Sequence, residues 1–291
     1  MTVLYVIICG IIQGIFEFLP VSSFGHVTVL KSVFEMEQVG GLLMEALLHL
    51  GTAAAVILCF RKDFLRILEE YAGMIRDISF NLKVLLQGRK GTSNVAYRKI
   101  VMGTYRRFAV LILISFVPTA LLGASVRRLA ALAAVSPMLP GIFFLITGIF
   151  LLVTDISHAG GSKMPRDTFY GDAVWMGIAQ GISAFPGLSR CGLTICTGAL
   201  CGLDRRFAIK YSYIMSVPAV IGAFFAEVPG FRHAQMTAGL GFTYFLGMLA
   251  AGVTGYFTIR FLMKVLQNTK MRYFAIYCFI IGAFALSGSM I

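Results

Sequence analysis

Two short polar clusters interrupt an otherwise apolar chain, and both contain side chains able to handle an anion. In the first, Gln13 and Glu17 are four residues apart, which places them on one helix face, and Pro20, Ser22, Ser23 and His26 follow. In the second, Ser189, Arg190 and Thr194 follow Pro186 and Gly187. A carboxylate within an apolar stretch is costly and needs a partner. Glu17 therefore reads either as a functional group or as one half of a structural ion pair. With Gln13 it offers hard oxygens of the kind that Mg²⁺ or Ca²⁺ takes. A serine and a histidine spaced as Ser23 and His26 are can act as nucleophile and base. Ser-x-x-His also describes a capping serine followed by a polar histidine. Arg190 has the planar fork suited to phosphate. At a helix start a cation is locally unfavourable unless an anion joins it. A salt bridge from Arg190 to Glu17 is the other reading, and the two are compatible if the pair opens for substrate. Thr194 adds a hydroxyl donor.

These clusters sit at the same place in a repeat. Residues 10–25 read GIIQGIFEFLPVSSFG and residues 177–192 read GIAQGISAFPGLSRCG. Without a gap, the pairs Gly10/Gly177, Ile11/Ile178, Gln13/Gln180, Gly14/Gly181, Ile15/Ile182, Phe18/Phe185, Ser22/Ser189 and Gly25/Gly192 agree. Pro20 disfavours helical geometry at Leu19 and ends an arm. Ser22 or Ser23 can cap the next helix, and Ser189 can do so in the second copy. The free N–H groups of a helix start attract anions. Duplicated broken helices of this kind mark a binding site near the middle of a membrane.

The rest of the chain supplies the membrane protein that would hold them. Of its 291 residues, 58% are hydrophobic and 13% charged, with a mean hydropathy of +0.84. A soluble domain rarely has that composition. The first apolar run lacks a basic start, carries Glu17 and is followed by no small-x-small cleavage site. It is expected to remain in the mature protein rather than leave as a signal peptide. The expected fold is an all-α polytopic membrane protein, one integral domain over 1–291. Broken segments near 3–34 and 173–203 are each followed by three spans, near 42–60, 108–126 and 138–157, then 211–230, 240–258 and 273–289. The arm after each break is too short to cross a core of about 30 Å, so each broken segment reads as a re-entrant hairpin. Three spans per half make 1–157 and 158–291 inverted repeats. Segments 61–107, 158–172, 204–210 and 259–272 hold twenty Lys and Arg, eleven of them in 61–107. The opposite side keeps Lys31, Arg127, Arg128 and Arg232. Positive charge inside puts the first set in the cytoplasm and both termini outside.

The net charge of +12 then follows from cytoplasmic loops, and no basic run interleaved with aromatics argues for nucleic acid. Residues 61–76 have the pattern of an amphipathic surface helix, and residues 88–94 that of an exposed turn. Cys9, Cys59, Cys191, Cys196, Cys201 and Cys278 form no CxxC pair and read as packing residues. Glu45 and His49, four apart, either line the cavity or pair with each other. Asp155, His158, Glu227 and Arg232 read as boundary residues. Tyr211, Tyr213 and Trp175 fit an interfacial belt.

The segment QGIFEFLPVSSFGH resembles the first motif of the bacterial undecaprenyl-diphosphate phosphatase, or bacitracin-resistance (BacA/UppP), family, and PGLSRCGLT resembles its second. HLGTAAAVILCFRKDF and KYSYIMSVPAVIGA are similar to the family at matching places. The resemblance runs through essentially the whole chain. It implies a hydrolase that removes the terminal phosphate of undecaprenyl diphosphate, regenerating the carrier for cell-wall synthesis, in the bacterial cytoplasmic membrane with its site open to the outer side. It implies a divalent cation, Mg²⁺ or Ca²⁺, held by Glu17 with Gln13. Ser23 would be the nucleophile and His26 its base, with Ser22 nearby. Ser189, Arg190 and Thr194 would bind the diphosphate. A homodimer is compatible with the family. The chain departs from the pattern at Cys191, where a serine is usual, at Phe24, where a small polar residue is usual, and at Gln13, where many members have Glu.

Two mechanisms fit hydrolysis: attack by Ser23 through a phosphoserine, or attack by water with Ser23 positioning. A reading from another class is a transporter or flippase for a phosphorylated lipid or anion, since broken inverted repeats also build transporters. Such a carrier needs Arg190 and the helix ends, but not a nucleophile and base beside a metal ligand.

Overall fold

The computed structural model describes residues 3–33, 41–88, 96–133, 135, 138–157, 160–231, 237–267 and 270–288. The turn expected at 88–94 lies almost wholly outside them, as do His158, Arg232 and the side chain of Lys31.

Among the described residues the chain forms eleven helices: α1 Val3–Phe16, α2 Ser23–Val33, α3 Gly41–Cys59, α4 Arg61–Gly88, α5 Thr104–Ala133, α6 Met138–Ile156, α7 Tyr170–Ile182, α8 Arg190–Leu200, α9 Arg205–Phe231, α10 Ala238–Val265 and α11 Arg272–Gly288. Four of them, in α5, α6, α9 and α10, are long and apolar enough to cross a bilayer on their own. The apolar α3 packs along α10, and α11 along α6. A chain with this many apolar helices is a multi-pass membrane protein.

Both broken segments stop four residues before a proline. The ring of a proline clashes with the carbonyl four residues earlier. Pro20 ends α1 at Phe16, and Pro186 ends α7 at Ile182. The breaks are therefore 17–22 and 183–189, longer than the proline-to-serine stretches alone, because the clash acts backwards along the chain. The arms that follow, α2 and α8, have 11 residues each.

Aligned glycines make corresponding contacts. A Cβ at Gly10 would run into the carbonyl of Gly247 on α10, and one at Gly177 into that of Ser115 on α5. Small residues at such crossings let helices pack without polar glue in lipid. At the breaks, a Cβ on Gly25 would meet the Gly187 backbone at 2.7 Å, and one on Gly192 the Pro20 carbonyl at 3.2 Å. Each arm thus starts against the other break.

Tyr211 and Tyr213 do not belong to an interfacial belt. Both are fully buried. Each hydroxyl finds a carbonyl inside the bundle, Leu111 O at 2.8 Å for Tyr211 and Phe18 O at 3.0 Å for Tyr213. An apolar ring with one satisfied polar tip is as stable there as at an interface. Trp175 is 61% exposed. Asp155 and Glu227 do sit at span ends, paired with Arg272 and Arg127.

Candidate functional site

The first break is built by accounting for its carbonyls, since an unpaired one in a membrane costs several kcal/mol. Four consecutive carbonyls receive donors from α8 and its capping serine, α9 and α11. Glu17 O accepts from Cys191 Sγ at 3.3 Å and Phe18 O from Tyr213 at 3.0 Å. Leu19 O accepts from Ser189 Oγ at 3.4 Å and Pro20 O from Cys278 Sγ at 3.9 Å. Cys191 and Cys278 are therefore weak donors to the break as well as packing residues. At the second break, Thr147 Oγ1 donates to Gly187 O at 2.9 Å and accepts from Ser189 N at 3.1 Å.

Ser22 locks the two breaks together. Its φ of 63° lies in the left-handed region, an unusual position for a residue with a side chain. In that conformation its Oγ accepts from Gly25 N, capping α2, and from Gly187 N of the other break, both at 3.2 Å. Ser189 caps α8 by accepting from Gly192 N at 3.0 Å. The sequence expectation of two serine-capped arms holds, with Ser22 and not Ser23 as the first cap.

Glu17 is the centre of the cluster that results. Its Oε1 accepts from Arg190 Nη2 at 2.8 Å. Its Oε2 accepts from Gln13 Nε2 at 2.8 Å and from Ser23 Oγ at 2.9 Å. His49 Nε2 stands 3.7 Å from the same oxygen, its Nδ1 directed at Glu45 O at 2.8 Å. The Glu17 and Arg190 side chains are 6% and 16% exposed. Arg190 Nη1 is buried and has no hydrogen-bond partner among the described residues. The cation is thus half satisfied by Glu17, and its other half is free for an anion.

Not every expected group joins this cluster. His26 directs Nδ1 at Ser22 O (2.6 Å) and Nε2 at the Tyr277 hydroxyl (2.8 Å), its ring stacked on Tyr277 and tilted against Phe16. Neither nitrogen faces the Ser23 hydroxyl. The i, i+3 spacing brings the two residues to one helix turn, but a histidine in the first turn of a capped helix finds the cap carbonyl first. Thr194 Oγ1 donates to Arg190 O at 2.7 Å and pairs with Ser212 Oγ at 2.6 Å, fully buried. Its hydroxyl supports the turn that carries Arg190, as threonines within helices do. Sequence reading left His49 open between cavity and pairing, and it overlooked Tyr277. A histidine four residues after a glutamate is the one signal that marks His49, and nothing near Tyr277 in sequence marks that residue.

The cation implied by the resemblance can be tested against these donors. The cluster holds one carboxylate, Glu17, with the neutral oxygens of Gln13 and Ser23 beside it. Among the described residues no group of three or more His, Cys, Asp or Glu is arranged to hold a metal. Such a donor set is no all-protein cage. It fits a hard cation that arrives with a diphosphate and takes its remaining ligands from phosphate and water, as Mg²⁺ commonly does.

Comparison with known proteins agrees with the motifs. The family described as bacitracin resistance protein BacA matches residues 6–284. A protein of Desulfosudis oleivorans named undecaprenyl-diphosphatase is 34% identical over 283 residues, 96% of each chain. One of the same name from Carboxydothermus hydrogenoformans is 32% identical over 95% of this chain and 93% of its own. One from Methanosphaera stadtmanae is 31% identical over 99% of both.

Proposed function

The chain belongs to the bacitracin resistance protein BacA family, and on that premise we propose that it is an undecaprenyl-diphosphatase, releasing inorganic phosphate and undecaprenyl phosphate. The observation that carries this reading is the Glu17–Arg190 pair, with Ser23 on the same carboxylate and Arg190 Nη1 buried without a hydrogen-bond partner among the described residues. A carrier of anions would need the arginine but gains nothing from a hydroxyl held on a carboxylate beside it.

In the reaction, the diphosphate takes up the free side of Arg190, which balances charge on the phosphoryl oxygens as they pass through the transition state. Ser23 Oγ attacks the terminal phosphorus, and its proton goes to Glu17 Oε2, the group it already faces. The bond to the bridging oxygen breaks, and undecaprenyl phosphate leaves. Water then displaces the serine oxygen from phosphorus, and Ser23 recovers its proton as inorganic phosphate departs. His26 and Ser22 hold the start of α2 in register. Glu17, with Gln13, would hold a divalent cation. When bound, that ion adds positive charge at the diphosphate oxygens.

We place the long α4 segment in the cytoplasm on the distribution of Lys and Arg, and the site toward the outer side as the family resemblance implies. The corresponding glycine contacts support reading 1–157 and 158–291 as inverted repeats. The test is phosphate release from undecaprenyl diphosphate by purified protein in lipid with Mg²⁺ or Ca²⁺, wild type beside Glu17→Gln and Arg190→Ala. Metal-dependent release, lost in both variants while they stay folded, is expected. Lipid movement in vesicles without phosphate release would establish the transporter instead.

A further inference from the structure

The helix α4 divides its surface into three lengthwise arcs. One faces the bundle: Ile67 and Met74 are buried there against α5 and α9. On the same arc Asp63, Glu70 and Asp77 recur every seven residues, and each is neutralised by a partner from the bundle side. Asp63 binds Lys210 at 2.5 Å and accepts from Tyr105 at 2.9 Å. Glu70 and Asp77 bind Arg106 at 2.8 and 2.7 Å. The second arc is apolar and uncovered: Leu65, Leu68, Ile75, Ile78, Leu82 and Leu86 are each at least half exposed and follow helical spacing. The third, beside it, carries exposed Arg61, Lys62, Arg76 and Lys83, none in an ion pair among the described residues. Glu69 is the one exposed acid of α4 among the described residues.

The orientation of α4 matters as much as its faces. It leaves the apolar α3 at an angle of 87°. Since α3 runs beside the membrane-crossing α10, α4 lies near the membrane plane, and 28 residues extend about 42 Å along it. An apolar arc of this length at that depth meets acyl chains, and a cationic arc beside it meets headgroups. Of the four acids of α4, Asp63, Glu70 and Asp77 are turned inward and paired, which leaves Glu69 alone among the exposed cations.

We propose that α4 is an interfacial helix that binds anionic phospholipids, its leucine and isoleucine arc seated in the leaflet and Arg61, Lys62, Arg76 and Lys83 gathering negative headgroups around it. The lipid surface is the occupant that the charge selects. A second copy would bring the same unpaired cations to the interface and repel.

The experiment places a tryptophan reporter on the apolar arc. In a Trp175→Phe background, which removes the single natural tryptophan, Ile75→Trp is reconstituted in vesicles of equal phosphatidylglycerol and phosphatidylcholine. Bromine is carried on one lipid at a time. Ile75 is 64% exposed, so a larger side chain meets no protein there. Leu82→Trp, 55% exposed in the native side chain, is a second reporter should the first not fold. Brominated phosphatidylglycerol is expected to quench more strongly, corresponding to about a twofold local enrichment at low salt. The excess should vanish in 1 M salt, where charge is screened over about 3 Å, and in Arg61→Gln/Lys62→Gln/Arg76→Gln/Lys83→Gln. Equal quenching by the two lipids at low salt would overturn the proposal. So would a reporter reached by aqueous iodide and not by lipid. A reporter shielded from both, in a protein that cross-links as a dimer, would show that a second copy covers the face. None of these readouts depends on phosphatase activity.

Discussion

The Ser23 hydroxyl donates to Glu17 Oε2 at 2.9 Å, across the break that joins α1 to α2. The other oxygen of the same carboxylate takes Arg190 Nη2 at 2.8 Å, from the start of α8. One carboxylate therefore faces both the hydroxyl and the guanidinium. It holds the Ser23 proton in a hydrogen bond that shortens as the oxygen gains charge. The His26 ring nitrogens are engaged elsewhere, one with the Ser22 carbonyl and the other with the Tyr277 hydroxyl.

This geometry separates Glu17 from His26 in kinetics. Glu17→Gln keeps the size of the side chain but removes the proton acceptor, so kcat should fall by a factor on the order of 10²–10⁴. His26→Gln loses only an orienting contact and should cost roughly tenfold, as a supporting shell does. Steady-state phosphate release at saturating lipid measures both. A larger loss for His26→Gln than for Glu17→Gln would return the base to the imidazole.

The ion pair itself is a structural element. Arg190→Met leaves the Glu17 carboxylate buried without its cation, and removing one partner of such a pair typically costs about 3–5 kcal/mol. Glu17→Gln/Arg190→Met removes both charges and should recover most of that stability without recovering activity. Denaturation midpoints of the four proteins in a double-mutant cycle give the coupling. Additive losses would mean that the two charges do not sense each other.

The repeat, the breaks, the spans and the amphipathic helix were legible because each has a local cause. Proline ends a helix by a clash four residues back, and apolar length is written directly in composition. The site was legible as a set of residue types, with Glu17, Ser23 and Arg190 drawn together as the paired breaks suggested. What could not be read was direction. Whether His26 turns toward Ser23 or toward Tyr277, 251 residues later, is decided by packing in three dimensions. The same holds for Tyr213, an interfacial residue by type and a buried donor to Phe18 O in the fold. Thr194 looked free because nothing in the sequence places Ser212 beside it.

Asp77 gives the α4 dock a pH dependence. A hydrogen bond from the Arg106 guanidinium, with Arg98 also nearby, holds its carboxyl below the ordinary carboxylate value. A group depressed in the folded state contributes stability above its unfolded pKa of about 3.9 and loses it as pH falls through the lower folded value. Thermal midpoints in detergent should therefore drop below about pH 4 more steeply for wild type than for Asp77→Asn. Parallel acid limbs would show that this carboxylate carries none of the acid sensitivity.

The crossing of the two breaks is tightest at Gly25. A Cβ there would stand 2.7 Å from both Gly187 Cα and Gly187 N, and 2.7 Å from Phe144 Cζ. Gly187 cannot yield easily, since its φ of 97° is itself set by the turn and its N–H is held by Ser22 Oγ. Gly25→Ala must push α2 away from the second break, at a cost of about 1–3 kcal/mol. Ser23 and Glu17 lie on one side of that crossing and Arg190 on the other. A displacement near 1 Å there can lower activity on the order of 10²-fold. Gly123→Ala, in α5 where an added Cβ meets nothing within 4 Å, supplies the control and should leave both stability and turnover intact. Melting temperature and kcat measured together decide the matter: a Gly25→Ala protein as stable and as active as wild type would show that the breaks tolerate separation and that their close approach does not position the chemistry.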